Sequence, residues 1–127
     1  LQSANTATNP ADGATVYQGM ASPQTTTAAT HVVPIPVSGT ITRIDLAIGV
    51  SGVLGTTEQA TISLRLNNTT DTTITAVAQF DAILQRYSVA VSIAVAVDDY
   101  FQIKSVYPTF STNPTNVVTH AVVKVVT

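Results

Sequence analysis

The segment Arg86–Val97, RYSVAVSIAVAV, alternates large and small side chains for twelve residues. Tyr87, Val89, Val91, Ile93, Val95 and Val97 fall on one side, with Ser and Ala opposite them. A period of two belongs to an extended strand, whose successive Cβ atoms point to opposite faces of a sheet. The aliphatic face therefore predicts a core. The Ser/Ala face is small enough to lie against another layer or subunit.

Other segments repeat the pattern. In ITRIDLAIGV, Ile44, Leu46, Ile48 and Val50 share one face and Arg43, Asp45 and Ala47 the other. ATISLRLNN places Ile62, Leu64 and Leu66 inward, with Ser63 and Arg65 outward. Thr15–Met20, ITAVAQF, YFQIKSVY and the terminal VVTHAVVKVV read as further strands. HVVPIPV is extended, and its two prolines, which remove backbone donors, place it at a sheet edge. SGVLGTTEQ reads as a hairpin-like loop, ASPQTTTAAT as a loop, and NNTTDTT as turn chemistry, because Asn and Asp tolerate left-handed backbone. Eight to ten short strands without a convincing helix imply an all-β antiparallel sandwich. A jelly roll is the first choice and an immunoglobulin-like sandwich the second. Residues 1–15, small and aperiodic, read as an extended N-terminal arm or linker, or as a strand exchanged with a neighbouring subunit. Residues 16–127 form the single sandwich domain.

Composition agrees with strands and narrows the partners. Charged residues make up 9% and hydrophobic residues 45% of the 127 residues, and threonine fills about a sixth. Branching at Cβ favours extended backbone, so a Thr- and Val-rich chain suits sheets. The five cations (Arg43, Arg65, Arg86, Lys104, Lys124) are scattered in sequence and outnumbered by seven acids. Such a balance argues against nucleic acid, which needs clustered cations. No run of about 18 apolar residues predicts membrane insertion. Without cysteine there is no disulfide or thiolate chemistry. Few charges and no cysteine are compatible with an extracellular or virion-surface setting. The start at Leu1 reads as a processed or excised boundary, with no secretory signal peptide visible.

Catalytic chemistry is sparse. His31 and His120 are the only imidazoles, too few for a metal site of their own. Asp98 and Asp99 read as a turn rather than a calcium site, which needs six to eight oxygens. GVSGVLG lacks the helix that completes a phosphate loop. Asp45, Glu58 and Asp81 would have to converge to form a glycosidase pair. Asn67 and Asn68 begin overlapping N-x-T sequons that are also an ordinary turn. The sequence predicts no enzyme, no metal and no cofactor. One stretch stands apart: YPTFSTNPTNV, Tyr107–Val117, which reads as the turn of a final hairpin, is rich in proline, asparagine and aromatics. Tyr107, Phe110, Asn113 and Asn116 are its candidate receptor contacts, since aromatic faces stack on sugars and amides both donate and accept hydrogen bonds.

Three short motifs carry a family resemblance over roughly residues 30–127. They are Pro36-Val37-Ser38-Gly39-Thr40-Ile41, the hairpin Leu64-Arg65-Leu66-Asn67-Asn68-Thr69-Thr70-Asp71, and Asp98-Asp99-Tyr100-Phe101-Gln102-Ile103-Lys104. In this order the chain resembles the C1q/TNF-like jelly-roll domains at the ends of phage tail fibres and of bacterial collagen-like surface proteins. Asp98 stands where that family usually has glycine, and the hairpin motif carries one extra residue. The resemblance implies a homotrimer on a virion surface, contacting other virion proteins and a host-surface glycan or protein. The alternative function is a capsid decoration protein or filament subunit, assembled by exchange of its N-terminal arm.

Overall fold

A computed structural model describes residues 1–20 and 23–127. Ala21 and Ser22, which open the expected loop 21–30, lie outside the described residues. Among the described residues, nine strands form two antiparallel sheets packed as a sandwich. They are β1 (Gln2–Ala4), β2 (Thr15–Gln18), β3 (Val33–Pro34), β4 (Gly39–Val50), β5 (Ala60–Leu66), β6 (Thr70–Ala78), β7 (Leu84–Val95), β8 (Tyr100–Val106) and β9 (Val117–Val126). One sheet runs β1-β9-β4-β7; the other runs β2-β8-β5-β6, with β3 also paired to β8. Among the described strands, only β5 and β6 are joined as a hairpin of neighbouring paired strands. The links β1–β2, β3–β4, β4–β5, β6–β7, β7–β8 and β8–β9 each cross between sheets. A chain that wraps in this way is a jelly roll.

Crossing connections correct two sequence expectations. SGVLGTTEQ is not hairpin-like, because it carries the chain from β4 in one sheet to β5 in the other. The stretch after β8 is likewise a crossover to β9, not a hairpin turn. The alternation itself holds. Ile44, Leu46, Ile48 and Val50 of β4 are buried against Ile62, Leu64, Phe101 and Ile103 of the opposite sheet. β4 is the central spine, paired with β7 on one side and β9 on the other. Its register shifts between Ile41 and Arg43 against both neighbours, so Ile41 and Ile44, three residues apart, both face the core.

The motif glycine has a steric cause. A Cβ on Gly39 would lie directly against the carbonyl oxygen of Val126 on the paired strand β9. Proline follows its predicted place, since Pro34 lies in β3 at a sheet edge. β7 differs from expectation in one respect: Tyr87, Val89, Val91 and Ile93 are only half-buried and Val97 is exposed. As the end strand of its sheet, β7 has no neighbour beyond it to complete the cover. Tyr87 partly bridges the gap, its hydroxyl accepting from Gln79 N (3.0 Å) at the end of β6.

Residues 1–15 run along the other side of the sandwich, with a turn at Asp12–Gly13. Gln2–Ala4 pair with Val122–His120 of β9, and Ser3 is fully buried, donating through its hydroxyl to the Gly19 carbonyl (2.8 Å). Ala4 N also donates to Gly19 O (3.0 Å), which ties the edges of the two sheets together.

Truncating the core at Ile44→Ala should cost about 2–5 kcal/mol, by lost transfer energy plus a cavity, read from denaturant unfolding midpoints. Gly39→Ala should cost about 1–3 kcal/mol in the same assay, because the added methyl overpacks against fixed backbone.

Candidate functional site

The Tyr107–Val117 stretch turns inward. Tyr107 and Phe110 are only 3% and 5% exposed. Both rings meet Phe80 edge-on, with centroids 5.8 and 5.6 Å away. Edge-to-face arrangement is the preferred geometry for buried aromatic pairs. Burial pushes the Tyr107 phenol up to about 12, opposed by its hydrogen bond to Gln24 (2.8 Å). Neither ring presents a face to solvent, so the expected stacking of Tyr107 and Phe110 on a ligand gives way to a core role.

The polar residues of the stretch are engaged with the N-terminal segment. Asn113 Nδ2 donates to Asp12 Oδ1 (2.8 Å) and to Pro10 O (3.3 Å). Phe110 N donates to the same Asp12 oxygen (3.0 Å), and Gly13 N to Pro108 O (3.1 Å). Asn116 has left-handed backbone, φ 52°, which asparagine tolerates better than most residues, and its N–H donates to Asn9 Oδ1 (3.0 Å). Glu58 closes the outer side by accepting from Ser111 N (2.9 Å). Hydrogen bonds from Thr56 and Ser111 hold its carboxyl below the usual range. The stretch is a seat for residues 9–13.

The other polar candidates occupy separate places. His31 Nδ1 lies 2.9 Å from Pro23 O in the loop before β3. Asp81 accepts from Gln85 Nε2 (2.7 Å) at the start of β7. Asp45 lies on the outer face of β4, so Asp45, Glu58 and Asp81 are each engaged with different partners. Asp98 takes φ 79° in the turn before β8. Asp99 accepts from Ala96 N (2.8 Å) and Asn67 Nδ2 (2.9 Å), and these bonds lower its pKa.

The depression with most converging polar chemistry lies on the outer face of the β1-β9-β4-β7 sheet. Register builds it. Ala47 of β4 pairs with Arg86 of β7 on one side and His120 of β9 on the other. Arg86 and His120 thus stand two strand spacings apart, about 10 Å, with only a methyl group between them. The next row along places Ser88, Asp45 and Val122 side by side, and the row beyond sets Ala90, Arg43 and Lys124 together. The shallow space has a volume of about 370 Å3, lined by Arg43, Asp45, Ala47, Arg86, Ser88 and His120 among others.

Charge is unevenly distributed across the molecule. This outer face holds three of the five cations, Arg43, Arg86 and Lys124, and one of the seven acids, Asp45. Arg43 is paired with Asp45 at 2.9 Å, and its hydrogen bond lowers the Asp45 pKa. On the opposite sheet Arg65 and Lys104 are both bound to Asp71, at 2.9 and 2.8 Å. Among the described residues, Arg86 and Lys124 make no ion pair. His120 is steadied by Gln2, whose Oε1 lies 3.1 Å from Nε2. Sequence reasoning placed Arg43 and Asp45 outward, yet missed their convergence with Arg86 and His120. Only the strand order β9-β4-β7 brings these residues together, and that pairing spans more than seventy residues of sequence.

The fold defines an all-β, two-sheet jelly-roll sandwich. No protein-family model matches the chain, and no curated protein is significantly similar to it.

Phe110→Ala should lower stability by about 3 kcal/mol in chemical denaturation, as expected of a buried aromatic. Asp99 titrates lower in the folded chain than in the unfolded one, so protons bind the unfolded state preferentially. Its contribution is present above the ordinary carboxylate range and lost as pH falls through the depressed folded value. Thermal unfolding followed from pH 7 to pH 3 should therefore fall less steeply in Asp99→Asn than in the parent.

Proposed function

We propose that this protein is a non-enzymatic surface module of a virion, a trimeric tail-fibre or related domain that contacts the host cell surface. The observation that carries this reading is the meeting of the three motif segments at one end of the sandwich. Asn67 of the hairpin motif receives Tyr100 N at its Oδ1 (3.0 Å), while its own N–H donates to Tyr100 O (2.9 Å). Its Nδ2 reaches Asp99 of the third motif. Ile35, beside the first motif, donates to Asp99 O (2.8 Å), and Ser38 Oγ accepts from Val97 N (3.1 Å). Segments distant in sequence thus depend on one another, which gives their shared order a structural reason and supports the C1q/TNF-like resemblance.

Self-association has a physical basis at the open flank. The half-buried aliphatic side of β7 lies beside the exposed Val77 and Ile83. Covering such surface is favourable by roughly 25 cal/mol per Å2. Three weak sites in one closed assembly would then give avidity at a cell surface.

A second reading, a capsid decoration protein or filament subunit, draws on the pairing of Gln2–Ala4 with β9. The same three-residue pairing made to a neighbouring copy would link subunits by strand exchange.

Native mass spectrometry separates the two. The fibre reading expects a closed species of three times the 13.2 kDa chain. An open series of higher multiples supports the filament, and a strict monomer sinks both.

A further inference from the structure

We infer that the depression between Arg86 and His120 is a binding site for a negatively charged sugar residue of an acidic polysaccharide. The choice of partner rests on the surface-contact reading above; the site itself rests on geometry and charge.

Arg86 is the first part of the argument. Its guanidinium is exposed and makes no ion pair among the described residues, whereas Arg43, Arg65 and Lys104 each sit on a carboxylate. Guanidinium matches a carboxylate or sulfate with two parallel N–H donors, so an unpaired one is a directional anion receptor. Lys124, two rows along the sheet, adds a second unpaired cation to the same face.

Shape is the second part. Ala47 leaves a floor that any larger residue would fill, and the row spacing holds Arg86 and His120 far enough apart for one sugar ring. In the tautomer that donates from Nε2 to Gln2 Oε1, His120 keeps Nδ1 for a ligand hydroxyl. In the next row, Asp45 of β4 offers a carboxylate and Ser88 of β7 a hydroxyl, a pairing suited to sugar hydroxyls. Beyond them Ala90, Ser92 and Ala94 continue an exposed, small-residue surface along β7, on which an extended chain can lie.

These features also select against other anions. Nucleic acid requires several cations along a backbone, and this face has Asp45 in its centre. A sparse pair of free cations, beside the mutually paired Arg43 and Asp45 and a serine hydroxyl, fits a polymer with widely spaced charges.

The test is calorimetric titration of the purified protein with polygalacturonate oligosaccharides, against dextran as the neutral control and dextran sulfate as the alternative anion. Binding of polygalacturonate but not dextran is expected. It should weaken by at least about tenfold in Arg86→Gln, as for loss of a charge-assisted hydrogen-bond pair. Ala47→Leu, which fills the floor without altering charge, should weaken it similarly, while Lys104→Gln on the opposite sheet should bind like the parent. Melting temperatures establish that each variant is folded; if Ala47→Leu is not, Arg86→Gln decides alone. No binding of polygalacturonate overturns the inference. So does affinity that survives Ala47→Leu in the folded state, or dextran sulfate binding that is indifferent to Arg86→Gln. A protein that trimerises and adheres to cells yet ignores polygalacturonate overturns the site and leaves the surface-module reading standing.

Discussion

The register shift in β4 between Ile41 and Arg43 decides what each face of this molecule carries. In an uninterrupted strand, residues of equal parity share a face. Continuing from Ile41 without a shift would send Arg43, Asp45 and Ala47 into the core and Ile44, Leu46 and Ile48 into water. One irregular step avoids that and keeps both halves of the strand useful. Above it Ile41 seals the end of the core; below it β4 supplies the aliphatic spine inside and the floor of the charged depression outside. Such irregularities re-aim side chains and are structural features rather than defects.

Because nearly every connection crosses between sheets, the loops must be held as firmly as the strands. The molecule does this with two kinds of anchor. At one end, left-handed Asn67 and Asp98 bend the backbone, and side-chain amide and carboxylate groups satisfy the donors that the bends leave free. At the other end an aromatic trio, Phe80, Tyr107 and Phe110, fixes two crossovers to the core, and the polar residues between them bind the N-terminal segment. A buried polar group costs free energy unless it is bonded. Gln18 shows the same discipline, fully buried yet donating to Thr119 O (2.8 Å) across the sheets.

Strand identity was readable in sequence because a half-buried strand writes its burial in a period of two. β4 and β5 are found where their alternation puts them, and β8 and β9 where YFQIKSVY and VVTHAVVKVV read as strands. β7 shows the limit of that signal: its aliphatic face is as regular as that of β4, but whether it is covered depends on having a neighbour. Tyr107 and Phe110 show a second limit. Proline and asparagine mark a loop correctly, yet the same loop buries its aromatics because it closes over the end of a sandwich. The charged depression was illegible for a third reason. Its walls come from β7 and β9, its floor from β4, and local pattern does not encode which strands become neighbours.

The pairing of β1 with β9 carries a kinetic consequence. Gln2–Ala4 close on the strand nearest the opposite end of the chain, and β4, the spine, also waits for β9 on one side. Proteins dominated by such distant contacts fold slowly, because long loops must be closed before any contact rewards them. During synthesis the first strand emerges with no partner in existence. β9 must leave the ribosome before the sheet can shut, so β1 is made long before its partner and is among the last segments to find its place.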